Sequence, residues 1–72
     1  MTNEKKMELL ADIFDVEVDE LTSETELGSL DMDSVTVLSF IAMMYEEFGK
    51  EIKGSEVRSL KTIQDMLDIM KE

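Results

Sequence analysis

The residues of this sequence that could take part in covalent chemistry are mainly its hydroxyl groups, because the chain contains no Cys and no His. That absence excludes Ser-His and Cys-His nucleophile pairs and a histidine general base. A zinc site would have to consist of carboxylates alone, which is uncommon. Among the hydroxyls, Ser34 stands out because it follows Asp31-Met32-Asp33 at the start of a long apolar segment.

Two roles are open for Ser34 at this position. Ser is among the best N-cap residues of a helix, where it contributes about 1 kcal/mol relative to Ala. A helix N-terminus also stabilises a phosphate group, through free backbone N–H groups and the positive end of the helix dipole. A phosphodiester on Ser34 would be favoured by that helix end and disfavoured by Asp31 and Asp33.

The composition limits the kinds of partner. The chain has 72 residues, which we interpret as one domain over residues 1–72. Its formal net charge is −11, and residues 1–33 contribute −9 of it. This charge disfavours nucleic acid and anionic membranes, and it favours a basic partner protein or a cation. No apolar stretch approaches the ~20 residues of a membrane span. We therefore expect a monomeric, cytoplasmic protein without stable membrane insertion.

Apolar periodicity predicts two long helices. The first covers residues 3–14, with Thr2 or Asn3 as its cap. The second covers residues 34–48, and Gly49 is suited to end it in the left-handed conformation. The second helix is apolar almost all round, so it cannot bury every face. Its expected core stripe consists of Phe40, Ile41, Met44 and Phe48. The side chains expected nearer the surface, as a covered face or a partner-binding patch, are Val35, Leu38, Ala42, Met43 and Tyr45.

Residues 15–33, called the first loop below, break the helical period and are predicted to be an ordered loop. Loops of this length tend to be functional. The side chains expected to anchor it are Val16, Val18, Leu21, Leu27 and Leu30. Ser55 is expected to cap a short third helix, and Thr62-Ile63-Gln64-Asp65 matches a capping signature. The fourth helix places one apolar face inward, formed by Ile63, Met66, Leu67 and Met70. We predict an all-α fold, a small four-helix bundle of three longer helices and one short helix.

Four short motifs follow one another along the chain. They are Asp33-Ser34-Val35, Glu46-Glu47-Phe48, Glu51-Ile52 and Thr62-Ile63. Together with the length, the acidity and the long first loop, this order resembles the acyl carrier proteins over nearly the whole chain. The resemblance implies the acyl-carrier fold, with Asp-Ser at the start of its second helix.

The resemblance also implies a function. Ser34 would carry a 4′-phosphopantetheine arm, attached from coenzyme A by a phosphopantetheinyl transferase with the help of magnesium, and Asp33 would help to position the transferase and the metal. The thiol of the arm would hold acyl groups as thioesters for acyl-transferring and condensing enzymes of fatty acid, polyketide or related lipid synthesis. The chain is thus expected to be a carrier and not an enzyme. The implied partner-binding residues are Val35, Leu38, Ala42, Met43 and Glu46. The implied acyl pocket consists of Ile41, Met44, Ile52, Val57, Leu60 and Met66.

The sequence departs from the family in three places, the first of which is Val35 in place of the usual Leu. Leu30-Asp31 occupies the spacing of the family's Leu-Gly, while Leu27-Gly28 lies upstream. Thr36 and Ser39 stand where the family often has acidic residues in its second helix. These departures favour a specialised carrier, whose partners dock through basic or apolar patches. Such partners would contact the second helix more through apolar side chains, or they would use the acidic first loop.

Other functions remain open from the sequence. Several oxygen-bearing residues fall at ligand positions of an EF-hand-like calcium loop, namely Asp15, Glu17, Asp19, Ser23 and Glu26. However, Glu20 occupies the position where the sharp turn of that loop requires Gly. A helical adaptor and an aminoacyl or peptidyl carrier are further alternatives.

Overall fold

The computed structural model describes residues 1–71, which form four α-helices. These are α1 (Asn3–Phe14), α2 (Ser34–Phe48), α3 (Gly54–Ser59) and α4 (Ile63–Ile69). The first loop contains two short 3-10 turns, Val18–Glu20 and Leu27–Ser29. The all-α prediction is confirmed, although α4 has seven residues and is closer in length to α3, with six, than to α1, with twelve.

The two long helices begin and end as their sequence predicts. The Thr2 side chain accepts a hydrogen bond from the Lys5 backbone N–H at 3.2 Å and caps α1. α1 ends at Asp15, which adopts the left-handed conformation with φ 57°, one that Asp tolerates better than most residues. Gly49 ends α2 in the same conformation with φ 64° and donates to the Tyr45 carbonyl at 3.0 Å.

The core is built from all four helices. Met44 and Ile63 are among the side chains with no exposed surface, and the two long helices pack against each other while α3 packs on α2. The completely buried side chains are Leu10, Phe40, Met44, Val57, Ile63, Met66 and Met70. The predicted inward face of α4 is confirmed, because all four of its apolar side chains are buried.

The first loop is fastened to the N-terminus of α4 by backbone hydrogen bonds. Leu27 N–H donates to the Lys61 carbonyl at 2.8 Å, and Ile63 N–H donates to the Thr25 carbonyl at 3.0 Å. Gln64 N–H donates to the Ser23 carbonyl at 2.9 Å. Since these bonds satisfy backbone groups that a loop would otherwise leave to water, the loop has a fixed path over the helices.

The predicted anchors of the first loop are confirmed with one exception. Leu21 and Leu27 are buried, and Val16 and Leu30 pack half-buried against the core. Val18 is wrong as an anchor, because 43% of its surface is exposed. Val18 begins the first 3-10 turn. Only in a strand would Val16 and Val18, two residues apart, lie on the same face.

The ends of the short helices correct one prediction and confirm another. Ser55 is not the cap of α3 but its second residue; the helix begins one position earlier, after Lys53, whose backbone N–H donates to the Glu56 carboxylate at 3.4 Å. The capping signature of α4 is confirmed. Thr62 Oγ1 accepts from the Asp65 N–H at 3.3 Å, and Asp65 Oδ2 accepts from the Thr62 N–H at 3.1 Å.

Candidate functional site

The N-terminus of α2 brings Asp33 and Ser34 together in different roles. Asp33, not Ser34, is the N-cap residue, and its Oδ1 accepts a hydrogen bond from the Thr36 backbone N–H at 2.8 Å. Ser34 is the first helical residue and is exposed. The prediction that Ser34 caps the helix is therefore wrong. Both residue types rank high as caps, and the helix begins one residue earlier than a Ser34 cap would require.

The cap role of Asp33 leaves the Ser34 hydroxyl available. None of the side-chain hydrogen bonds within residues 1–71 involves Ser34 Oγ. An exposed hydroxyl without a protein partner can reach a second molecule without first breaking an internal bond. The helix end thus presents one hydroxyl to solvent, with a carboxylate fixed beside it.

The Asp33 carboxylate is held in its charged form. The hydrogen bond from the Thr36 backbone N–H lowers the pKa of Asp33 below its ordinary value of 3.8, and the Thr36 side chain contributes in the same direction. Partial desolvation opposes this shift, and the Val35 backbone adds a smaller effect that lowers the pKa. Asp33 therefore stays ionised at neutral pH next to Ser34.

The outward face of α2 is apolar over most of its length. Val35, Leu38 and Tyr45 are 71%, 64% and 60% exposed, and Ala42 and Glu46 are exposed as well. Met43 differs from its expected position near the surface, since it is only 8% exposed and packs in the core. With Met44 completely buried, two consecutive residues of α2 point inward, because the helix is covered by α1 and by α3.

The six residues of the implied acyl pocket divide into two groups. Met44, Val57 and Met66 have no exposed surface and form part of the packed core. The other three, Ile41, Ile52 and Leu60, are half-buried at the edge of that core. These residues therefore form a closed interior and its rim.

A groove that the sequence did not indicate lies beside the candidate site. It has a volume of about 300 Å³ and separates the first loop from the end of α3. Its lining consists of Leu27, Gly28, Leu30, Met32, Arg58 and Leu60. Met32 precedes Ser34 by two residues. The sequence offered one signal for it, the single Arg of a strongly acidic chain, but only the structure brings that residue next to the first loop.

The EF-hand-like alternative lacks its ligand cluster. Residues 18–20 form a 3-10 turn instead of a calcium loop, and the Glu20 carboxylate accepts from the Glu17 backbone N–H at 3.2 Å. Within residues 1–71, no group of three or more acidic side chains lies close enough to hold a metal ion. In the same part of the chain, none of the helices combines the length and apolarity needed to cross a bilayer.

Comparison with known proteins shows which family the chain resembles. Residues 7–70 match the family described as the phosphopantetheine attachment site. The chain is 37% identical over 68 residues to an acyl carrier protein of Lactobacillus acidophilus, covering 93% of this chain and 85% of that protein. It is 35% identical over 68 residues to an acyl carrier protein of Thermosynechococcus vestitus, with 93% and 84% covered.

The name of a further relative includes a polyketide synthase. The chain is 27% identical over 71 residues to the polyketide-8 synthase acyl carrier protein 2 of Streptomyces avermitilis, covering 97% of this chain and 82% of that protein. No solved structure matches the chain.

Proposed function

This chain belongs to the acyl carrier protein family, whose cofactor is 4′-phosphopantetheine, and we propose that Ser34 is the residue that carries this arm. The observation that supports the assignment is the exposed Ser34 hydroxyl at the first position of α2, left without a hydrogen-bond partner because Asp33 caps the helix. The matched region includes both residues.

The surroundings of Ser34 fit a phosphodiester. The first helical backbone bond of α2 runs from Val37 N–H to the Asp33 carbonyl at 3.0 Å, so the N–H groups of Ser34 and Val35 lie outside the helical ladder. Together with the positive end of the helix dipole, they favour a negatively charged group on Ser34. The negative charges of Asp31 and Asp33 oppose a phosphodiester on Ser34. The Asp33 carboxylate is held at the helix N-terminus by its hydrogen bond from the Thr36 N–H.

The arm supplies, when bound, a thiol that can hold an acyl group as a thioester. No side chain of this Cys-free sequence can provide such a thiol. The residues of the chain present the Ser34 hydroxyl, keep Asp33 charged beside it and hold the first loop in place. In this proposal the protein is a substrate of its partners and performs no catalysis itself. The single domain over residues 1–72 and the cytoplasmic location remain predictions of the sequence alone.

The outward face of α2 is the surface that we propose for the transferase and for acyl-transferring and condensing enzymes. Val35, Leu38 and Ala42 form its uncharged centre, and acidic residues stand at its two ends, Asp33 and Glu46. The ends are about 20 Å apart along the helix axis, at 1.5 Å per residue. A matching partner has an apolar centre with cationic groups at its margins. Met43 is buried and is not part of this face.

Intact-mass measurement tests the attachment. The purified chain is incubated with coenzyme A, magnesium and a broad-specificity phosphopantetheinyl transferase. The expected result is a mass increase of one phosphopantetheine, which is lost in Ser34→Ala and retained in Ser39→Ala, an exposed serine of the same helix. No mass increase with a transferase proven active on another carrier would refute the assignment.

The docking face is tested with the same transferase. Leu38→Ala removes a side chain from the centre of the apolar face, and central residues of interfaces often contribute more than 1 kcal/mol. We expect kcat/KM for modification to fall by about fivefold or more. Ser39→Ala, the neighbouring exposed position, serves as the control. Equal kcat/KM for both variants would show that Leu38 is not part of the surface that docks to the transferase.

A further inference from the structure

The groove between the first loop and α3 combines an apolar floor with one cation. Leu27 is buried, Leu30, Met32 and Leu60 are half-buried, and Arg58 is exposed at the edge of the groove. Arg58 is the only Arg of a chain with a net charge of −11. A positive group beside apolar side chains is suited to a ligand that is apolar along its length and negative at its end.

The position of the groove decides which ligand can reach it. Met32, one of its lining residues, is two residues before Ser34, so a group held on Ser34 starts close to the lining of the groove. The implied interior pocket is less accessible, because Met44, Val57 and Met66 have no exposed surface. An acyl group on the arm can therefore enter the groove without separating the packed helices.

The size and the charge define the class of acyl group. A volume of about 300 Å³ is at the lower end of the range for small-molecule pockets, which favours a short acyl chain. The planar guanidinium of Arg binds carboxylates through two parallel hydrogen bonds. On the basis of the proposed attachment at Ser34, we propose that this groove holds the cargo and that Arg58 selects short acyl groups that end in a carboxylate.

Succinyl and butyryl groups form a matched pair of cargoes for the test, because both have four carbons and only succinyl ends in a carboxylate. Each is loaded from its coenzyme A thioester by the transferase, and intact mass confirms loading. Backbone amide shifts of the labelled protein are then compared between unloaded, butyryl-loaded and succinyl-loaded forms. The expected result is that succinyl shifts the amides of residues 27–32 and 58–60 more strongly than butyryl.

Two variants make the test specific. Arg58→Gln should remove the difference between succinyl and butyryl, while Arg58→Lys should keep only part of it, because an ammonium lacks the planar fork. Gly28→Leu adds a side chain at a residue that lines the groove. A Cβ at Gly28 meets no atom within 4 Å, so the backbone tolerates it without a clash, and the added bulk at the lining should weaken the shifts for both cargoes. Ser55→Leu, at an exposed position of α3 outside the groove lining, is its control.

The outcomes separate this inference from the proposed function. A missing mass increase on loading would overturn the attachment at Ser34 and, with it, the inference. Successful loading followed by equal shifts for the two cargoes would overturn the role of Arg58. Shifts concentrated at Met44, Val57 and Met66, or unchanged by Gly28→Leu, would place the cargo in the interior and overturn the groove as its site.

Discussion

Replacing Ser34 by Ala should remove the attachment site while leaving the fold intact. The Ser34 side chain is exposed and makes no hydrogen bond within residues 1–71, and Ala forms helices at least as well as Ser. Surface changes of this kind alter the free energy of unfolding by at most about 0.5 kcal/mol. In a domain of this size about 1 kcal/mol shifts the Tm by roughly 4–8 °C. We therefore expect a Tm within about 2–4 °C of that of the unmodified parent protein.

Thr62→Ala provides the matched reference for this measurement. The Thr62 hydroxyl caps α4 by accepting from the Asp65 N–H at 3.3 Å, and loss of such a cap costs about 1 kcal/mol. The expected fall in Tm is about 4–8 °C. Thermal unfolding of all three proteins, in their unmodified forms, is followed by far-ultraviolet circular dichroism. Intact mass after incubation with the transferase should show modification of Thr62→Ala and none of Ser34→Ala.

One outcome of the Tm comparison between Ser34→Ala and Thr62→Ala would refute the prediction. If Ser34→Ala lowers the Tm as much as Thr62→Ala does, the Ser34 hydroxyl contributes a cap-like bond to α2. The division of roles between Asp33 and Ser34 would then be wrong, and so would the argument that the hydroxyl is free to react.

Three further changes test the packing and the electrostatics. Ile63→Val should lower the free energy of unfolding by about 0.5–1.5 kcal/mol in denaturant titrations, because Ile63 is completely buried. Leu38→Ala on the exposed face should change this free energy by less than about 0.5 kcal/mol. Similar losses at both positions would contradict the assignment of Ile63 to the core. Hydrogen bonds from the backbone N–H groups of Lys61 and Thr62 lower the pKa of Asp65 below 3.8. The ionised carboxylate therefore stabilises the folded state. This contribution to stability is present above pH 3.8 and is lost as the pH falls through the lowered pKa. The Tm of the parent protein should accordingly decrease relative to that of Asp65→Asn as the pH is lowered past this value, and parallel curves would remove the carboxylate from the capping of α4. Added salt or magnesium should raise the Tm because it screens a net charge of −11, and an unchanged or lower Tm would show that self-repulsion does not limit stability.

The helices were predictable where a local signal sets them. The bounds of α1 and α2 follow from their apolar periodicity, and Gly49 and Thr62 mark helix ends through conformational and hydrogen-bonding properties of single residues. Ser34 as the candidate attachment residue also came from sequence, through its position before the apolar segment and through the family motif.

The errors arise where neighbours along the chain compete or where distant segments meet. Asp33 and Ser34 are both good caps, and no local rule decides between adjacent candidates. Met43 was expected near the surface because the predicted core stripe of α2 does not include it, but α2 is covered on two sides, by α1 and by α3. The groove at Arg58 depends on residues about thirty positions apart, so periodicity gave no indication of it.

The backbone bonds between the first loop and α4 have a consequence for the order of events during synthesis. Ser34 leaves the ribosome well before residues 61–64, yet three backbone groups of the preceding loop, the carbonyls of Ser23 and Thr25 and the N–H of Leu27, obtain their partners from that later segment. These contacts join residues that are 34 to 41 positions apart, and closing such a long loop is slow compared with forming a helix. A nascent chain that ends before residue 61 therefore displays the serine on an unfinished surface. A transferase that recognises the folded loop has its substrate only after residues 61–64 have been made.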